Sequence, residues 1–155
     1  MSPMKNDKRF DLVIWGATGF TGRLVVEYLA GGGSPAGVRF AMAGRSRMKL
    51  EAVRSEVARR HPAAAALELV VADSHDRESL DSMVADAQVI VSTVGPFARY
   101  GSELVAACAA AGVDYCDITG EVHWMREMID RHHREARDSG ARIVHTCGFD
   151  SIPSD

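Results

Sequence analysis

The sequence predicts an α/β fold: a doubly wound, mostly parallel six-stranded sheet in the order 3-2-1-4-5-6, with helices on both faces. Three observations lead there. Short apolar runs alternate with helix-like stretches along the whole chain. Those runs are apolar on both faces, which is the pattern of a parallel sheet covered on both sides. Right-handed crossovers then leave few topologies, and this order is the natural one for six strands.

The first run, Phe10 to Trp15, is short, unbroken and rich in β-formers. A helical pattern follows, with Leu24, Val25, Tyr28 and Leu29 expected on its inner face and Gly31-Gly32-Gly33 as its stop. Val38 to Ala43 reads as the second strand. Ser46 can cap the next helix, whose buried stripe would be Leu50, Val53 and Val57. Leu67 to Ala72 is a third strand, preceded by the tract Ala63 to Ala66, a loop or helix end; Leu80, Met83 and Val84 mark a third helix. Gln88 to Val94 is the fourth strand, and Ser102 to Ala111 an alanine-rich helix ending at Gly112. Val113 to Asp117 gives the fifth strand. Val122 to Ser139 is a long helix with Met125, Met128, Ile129 and His132 inward and Gly140 at its end, and Arg142 to Thr146 is the sixth strand.

A chain of 155 residues has room for one domain with a real core. The expected division is a loosely held stretch 1–9, a domain over 10–147, and 148–155 as the start of a connection to a further domain. Apolar and charged fractions of 46% and 25% are ordinary for a soluble protein. A net charge of −3 gives no reason to expect nucleic acid or an anionic membrane as partner. No stretch approaches the ~18 uninterrupted apolar residues of a transmembrane helix, and MSPMKNDKRF lacks the apolar core of a secretory signal. Cys108, Cys116 and Cys147 lack metal-site spacing and read as reduced thiols, so the expected compartment is the cytoplasm.

Directly after the first strand stands Gly16-Ala17-Thr18-Gly19-Phe20-Thr21-Gly22, a G-x-x-G-x-x-G pattern that opens a helix. Gly16 would turn the chain out of the strand, Gly19 would leave space for a pyrophosphate, and Gly22 would let helix and sheet approach closely. The helix N-terminus offers unpaired N–H groups and partial positive charge to phosphates. In this position the pattern is a dinucleotide-binding, Rossmann-type signature. Gly16, Thr18, Gly19, Phe20, Thr21 and Gly22 are its candidate contacts. The absence of a G-K-[ST] ending excludes a nucleoside-triphosphate P-loop.

The end of strand two reads Ala43-Gly44-Arg45-Ser46, with no carboxylate to repel a 2′-phosphate. Arg45 supplies a planar donor fork for that phosphate, beside Gly44, and Ser46 adds a hydroxyl that could equally cap the helix. The expected ligand is therefore NADP(H) rather than NAD(H). Asp73, after strand three, is a candidate for the adenine amino group or a cap for the following helix. Val94, Gly95, Pro96 and Phe97 would run along the nicotinamide ribose. Cys147 and Gly148, after strand six, would border the nicotinamide.

Other chemistries find little support. Tyr28, Tyr100 and Tyr115 are followed four residues on by Gly32, Leu104 and Thr119, so the Tyr–Lys pair of short-chain dehydrogenases is absent. Cys147 has no partner base in sequence, the adjacent His132 and His133 have no ligand set around them, and Arg131 to Arg137 reads as a solvated helix face. No residue is assigned as catalytic, and no metal is expected.

The glycine loop, Ala43-Gly44-Arg45, Thr93-Val94-Gly95-Pro96-Phe97 with Tyr100-Gly101, Tyr115-Cys116-Asp117-Ile118-Thr119-Gly120-Glu121, and Gly148-Phe149-Asp150-Ser151-Ile152-Pro153-Ser154-Asp155 together resemble the saccharopine dehydrogenase-like oxidoreductases. Within them the chain looks closest to the trans-acting enoyl reductases. The resemblance implies an N-terminal NAD(P)-binding domain, followed by a larger catalytic and dimerisation domain, in a homodimeric enzyme. It implies hydride transfer to a carbon–carbon double bond of a carrier-bound, polyketide-type lipid intermediate. By it Gly16, Gly19 and Gly22 would hold the pyrophosphate, Arg45 the adenosine end and Gly95-Pro96 the nicotinamide side. A looser glycine loop than the G-x-G-x-x-G of saccharopine reductases speaks against amino-acid substrates. The alternatives are a saccharopine-type amino-acid dehydrogenase and a non-catalytic module that senses NADP(H).

Overall fold

The computed structural model describes residues 8–148 and Ile152. Residues 1–7 of the expected N-terminal stretch, and 149–151 and 153–155 of the expected connection, lie outside the described residues. Lys8 donates from Nζ to the Ala85 carbonyl at 2.7 Å, and Arg9 pairs with Glu68.

Twelve elements carry the fold: β1 (Phe10–Trp15), α1 (Phe20–Tyr28), β2 (Phe40–Gly44), α2 (Arg47–Ala58), β3 (Glu68–Val71), α3 (Arg77–Ala85), β4 (Ala87–Ser92), α4 (Phe97–Tyr100), α5 (Ser102–Ala111), β5 (Asp114–Asp117), α6 (Val122–Ser139) and β6 (Ile143–Val144). The strands form one sheet in the order β3-β2-β1-β4-β5-β6, and every pairing is parallel. This is the predicted topology. Side chains alternate across each strand, so neighbouring residues of β1 serve opposite faces. Val13 and Trp15 join Leu80, Leu104, Tyr115 and Met128 under α3, α5 and α6. Ile14 joins Val26, Leu50, Val53 and Val57 under α1 and α2.

Some expectations are corrected. Leu24 and Tyr28 were expected inward on α1, but they are 50% and 67% exposed, while Gly22 and Val26 are buried. The reason is the contact at Gly22: with no β-carbon, it lets the helix lie directly on the phosphate loop, and the row 22–26 turns inward. On α6 the buried residues are Trp124, Met128 and Ala136, whereas Ile129 is largely exposed. Trp124 takes the inner position because its indole packs on Phe97, with ring centroids 5.6 Å apart, and donates from Nε1 to Ser102 Oγ at 3.0 Å. The glycine stop after α1 continues as a π-turn, Leu29–Gly33, and the alanine tract forms a 3₁₀ turn, Pro62–Ala66. β6 is two residues long rather than five because Thr146 leaves the strand with a left-handed backbone (φ +60°).

Candidate functional site

β1 and β2 end side by side, and β4 ends on the other side of β1. The glycine loop 16–22, the candidate phosphate loop, fills this crossover point. Gly16 N–H and Ala17 N–H both donate to the Ala43 carbonyl, at 3.0 and 3.1 Å, which ties the loop to the end of β2. Gly16 has φ +90°, and a β-carbon there would lie 2.6 Å from Val94 Cγ2 and 2.8 Å from Thr93 Oγ1. At Gly22 a β-carbon would lie 2.1 Å from the Gly16 carbonyl oxygen. Gly19 is different: its nearest neighbour would be 3.4 Å away, so the protein itself leaves that side open. Gly19 also starts α1 in an extended conformation with no side chain capping the helix. The first-turn N–H groups of a helix need acceptors, and here a ligand's phosphates can supply them.

The cleft over this loop has a volume of about 220 Å³ and is lined by Trp15, Gly16, Thr18, Gly19, Gly44, Arg45, Ser74, Thr93, Val94 and Gly95. Seven of these are residues the sequence singles out: Gly16, Thr18, Gly19, Gly44, Arg45, Val94 and Gly95. Arg45 is exposed and makes no ion pair among the described residues, so its guanidinium is uncommitted. The absence of a carboxylate beside it makes this end of the cleft fit a 2′-phosphate.

The other nine candidates lie around the cleft rather than on its wall. Phe20 points outward, 83% exposed, next to Arg23 and Leu24. Thr21 is half-buried in the first turn of α1, and Gly22 lies beneath the loop. Ser46 caps α2, its hydroxyl accepting from Lys49 N–H at 3.4 Å. Asp73 closes a turn, with Oδ1 accepting from His75 N–H at 2.9 Å. Pro96 and Phe97 begin α4, where the Phe97 ring is buried on Trp124. Cys147 and Gly148 follow β6, and Cys147 N–H donates to the Asp117 carbonyl at 2.7 Å.

Sequence reasoning missed Trp15, Ser74 and Thr93. Ser74, only 4% exposed, lines the cleft with Arg45, whereas Asp73, the candidate for the adenine amino group, does not. Thr93 donates from Oγ1 to the Trp15 carbonyl at 3.1 Å and so pins β4 to the start of the loop. The available signal for both was only that they are small polar residues near a strand end. A larger cavity of about 520 Å³ lies between α6 and β6 and contains none of the phosphate-loop residues.

The three cysteines are thiols rather than thiolates. Burial pushes Cys116 up to about 11 and raises Cys147 above its ordinary value, with the nearby Asp117 adding to both. Burial raises Cys108 further still. A nucleophilic cysteine needs the opposite shift. Alkylation of Cys147 by iodoacetamide is therefore expected to be slower at pH 7.5 than that of free cysteine. Its rate should keep climbing above pH 9, where a free thiol levels off; a fast plateau near pH 7 would overturn this.

The family model for the saccharopine dehydrogenase NADP-binding domain matches residues 12–144. The chain belongs to that family. It is an NADP-binding domain, and its cofactor is NADP(H). Trans-acting enoyl reductases of Mycobacterium tuberculosis and Mycobacterium ulcerans are 52% and 51% identical to it, over 100% and 96% of the chain. The chain spans about a third of the length of these relatives, 35% and 34%. Among solved structures, apo saccharopine dehydrogenase (L-Glu forming) from Saccharomyces cerevisiae superposes with a TM-score of 0.71 at 18% identity, covering 92% of this chain and 28% of that one. The NAD(P)-binding domain of an exopolyphosphatase-related protein from Archaeoglobus fulgidus gives 0.62 at 16% identity, covering 94% and 93%. At these identities the likeness is one of fold. No helix among the described residues is long and apolar enough to cross a membrane.

Proposed function

We propose that this domain holds NADPH for an enoyl reductase that saturates a carbon–carbon double bond of a carrier-bound, polyketide-type acyl thioester. The observation that carries the cofactor half of this reading is the cleft itself. An uncapped helix start and an open Gly19 face a ligand's pyrophosphate, and an uncommitted Arg45 stands where the 2′-phosphate would lie. The names of the half-identical relatives support the substrate half.

Bound NADPH supplies the hydride equivalent. The chain's own residues do the holding. Gly16, Thr18 and Gly19 take the pyrophosphate, Gly44, Arg45 and Ser74 the adenosine phosphate end, and Val94 and Gly95 the nicotinamide riboside. Hydride transfer needs cofactor and substrate aligned in a dry site. The cleft is open to solvent and the named relatives are about three times as long, which supports a catalytic and dimerisation domain in a longer protein that completes the site. Three free cysteines among the described residues support a reducing compartment, the cytoplasm.

The test uses the full-length gene product, with NADPH oxidation followed at 340 nm. Oxidation on adding a 2-enoyl pantetheine thioester, and none with glutamate plus an amino-acid semialdehyde, is the expected result. The reverse pattern would assign an amino-acid dehydrogenase. Binding of NADPH with turnover of neither would favour a sensing module.

A further inference from the structure

One buried carboxylate gathers the ends of β5 and β6. Asp117, the last residue of β5, is 1% exposed. Its Oδ2 accepts from the Tyr115 hydroxyl at 2.9 Å and lies 2.7 Å from His145 Nδ1. Its Oδ1 accepts from the backbone N–H groups of Thr119 and Thr146, at 3.1 and 3.2 Å. The Tyr115 phenol stays protonated, because burial and the adjacent carboxylate both raise its pKa, so it donates.

Two irregularities coincide here. Thr146 is the only non-glycine residue with positive φ among those described, a strained conformation for a β-branched residue. Such strain persists only where the surroundings overdetermine it. Here the Asp117 bond to Thr146 N–H and the Thr146 Oγ1 bond to the His145 carbonyl, at 2.7 Å, supply the restraint. The second irregularity is His145 Nε2, buried with no partner among the described residues. Buried polar atoms are normally satisfied, and exceptions mark places shaped by something other than stability.

The network also reaches the cleft. Thr119, held by Asp117, accepts from Glu121 N–H through Oγ1 at 3.1 Å. Glu121 then receives Phe97 N–H on Oε1 at 2.6 Å and Ala98 N–H on Oε2 at 2.9 Å. Those amides begin α4, and Phe97 lies one residue past Pro96 and two past Gly95, which lines the cleft. A continuous chain of hydrogen bonds thus joins Asp117 to the loop assigned to the nicotinamide riboside, while Asp117 holds the 145–148 turn directly.

We propose that Asp117 is the positioning residue for the nicotinamide end of the dinucleotide. It sets the Gly95–Phe97 loop through Thr119 and Glu121, and the strained turn after β6 through Thr146. The proposal rests on the NADPH reading of the cleft. Its test compares two ligands, NADPH and 2′,5′-ADP, which carries the adenosine end and lacks nicotinamide. Binding of both is titrated on this chain and on its Asp117→Asn, Glu121→Gln and Asp114→Asn variants.

Asp117→Asn should weaken NADPH on the order of tenfold, the scale of losing a bond to a charged group, and leave 2′,5′-ADP within about twofold. Glu121→Gln should do the same to a smaller extent, and it decides the matter if Asp117→Asn does not fold. Asp114→Asn removes the carboxylate paired with Arg142 at the far end of the same strand. It should lower Tm without changing the ratio of the two affinities. Equal weakening of both ligands in the Asp117 and Glu121 variants, or no weakening, overturns the proposal. Wild-type protein that binds neither ligand overturns the cofactor reading beneath it.

Discussion

Gly22→Ala is expected to destabilise the domain by about 3 kcal/mol, the upper range for forcing atoms into a packed interior. The added carbon would stand 2.1 Å from the Gly16 carbonyl oxygen and 2.7 Å from its carbonyl carbon. Both are backbone atoms, tied in turn to β2 by the Gly16 and Ala17 bonds to Ala43. Neither can step aside, so α1 must lift off the sheet and pull the Gly19 end of the loop away from Gly16. At about 2–4 °C per kcal/mol for a domain of this size, Tm should fall by roughly 10 °C, and NADPH binding should fall with it. Gly19→Ala is the contrast. With 3.4 Å to its nearest neighbour and φ of −79°, it should leave Tm nearly unchanged and still weaken NADPH, because the space it fills is the ligand's. Thermal melts with and without NADPH read both outcomes; equal Tm losses in the two variants would sink the distinction.

Arg45→Ala is expected to cost NADPH about ten- to a hundredfold in affinity and to leave NADH within about twofold. The magnitude is that of a charge-assisted bond between a guanidinium and a phosphate. Arg45 is exposed and unpaired among the described residues, so removing it disturbs nothing in the fold and Tm should hold. Calorimetric titration with both dinucleotides checks this. Parallel losses for NADPH and NADH would place the guanidinium against the adenine ring rather than on the 2′-phosphate.

Most of the framework was legible beforehand because its signals are local. Apolar runs of strand length, glycines at 16, 19 and 22 and the lack of an acid after β2 each depend on neighbours within a few residues. The face of α1 was legible only in part: Val25 and Leu29 pack against the core as expected, whereas Leu24 and Tyr28 face solvent. Leu24 and Tyr28 fit an inward helical stripe as well as Val26 does, and only the collision at Gly22 decides how the helix is turned. Asp73 and Ser74 show the same limit: both follow β3, and the turn closed by Asp73 leaves Ser74 on the cleft. The run Tyr115 to Glu121 contributed to the family resemblance, but nothing in it assigned a role or partners to its residues. The partners, His145, Thr146, Phe97 and Ala98, lie more than twenty residues away in sequence.

The sequence by itself therefore determined the strand order, the glycine loop at the crossover point and the expectation of NADP(H). Periodicity, glycine placement and charge act over one or two turns of chain, and the parallel topology follows from them. Tertiary structure alone decided which polar side chains face the cleft and which carboxylate holds its loops. Those outcomes depend on how distant segments pack and where their buried donors find acceptors, which no local pattern encodes.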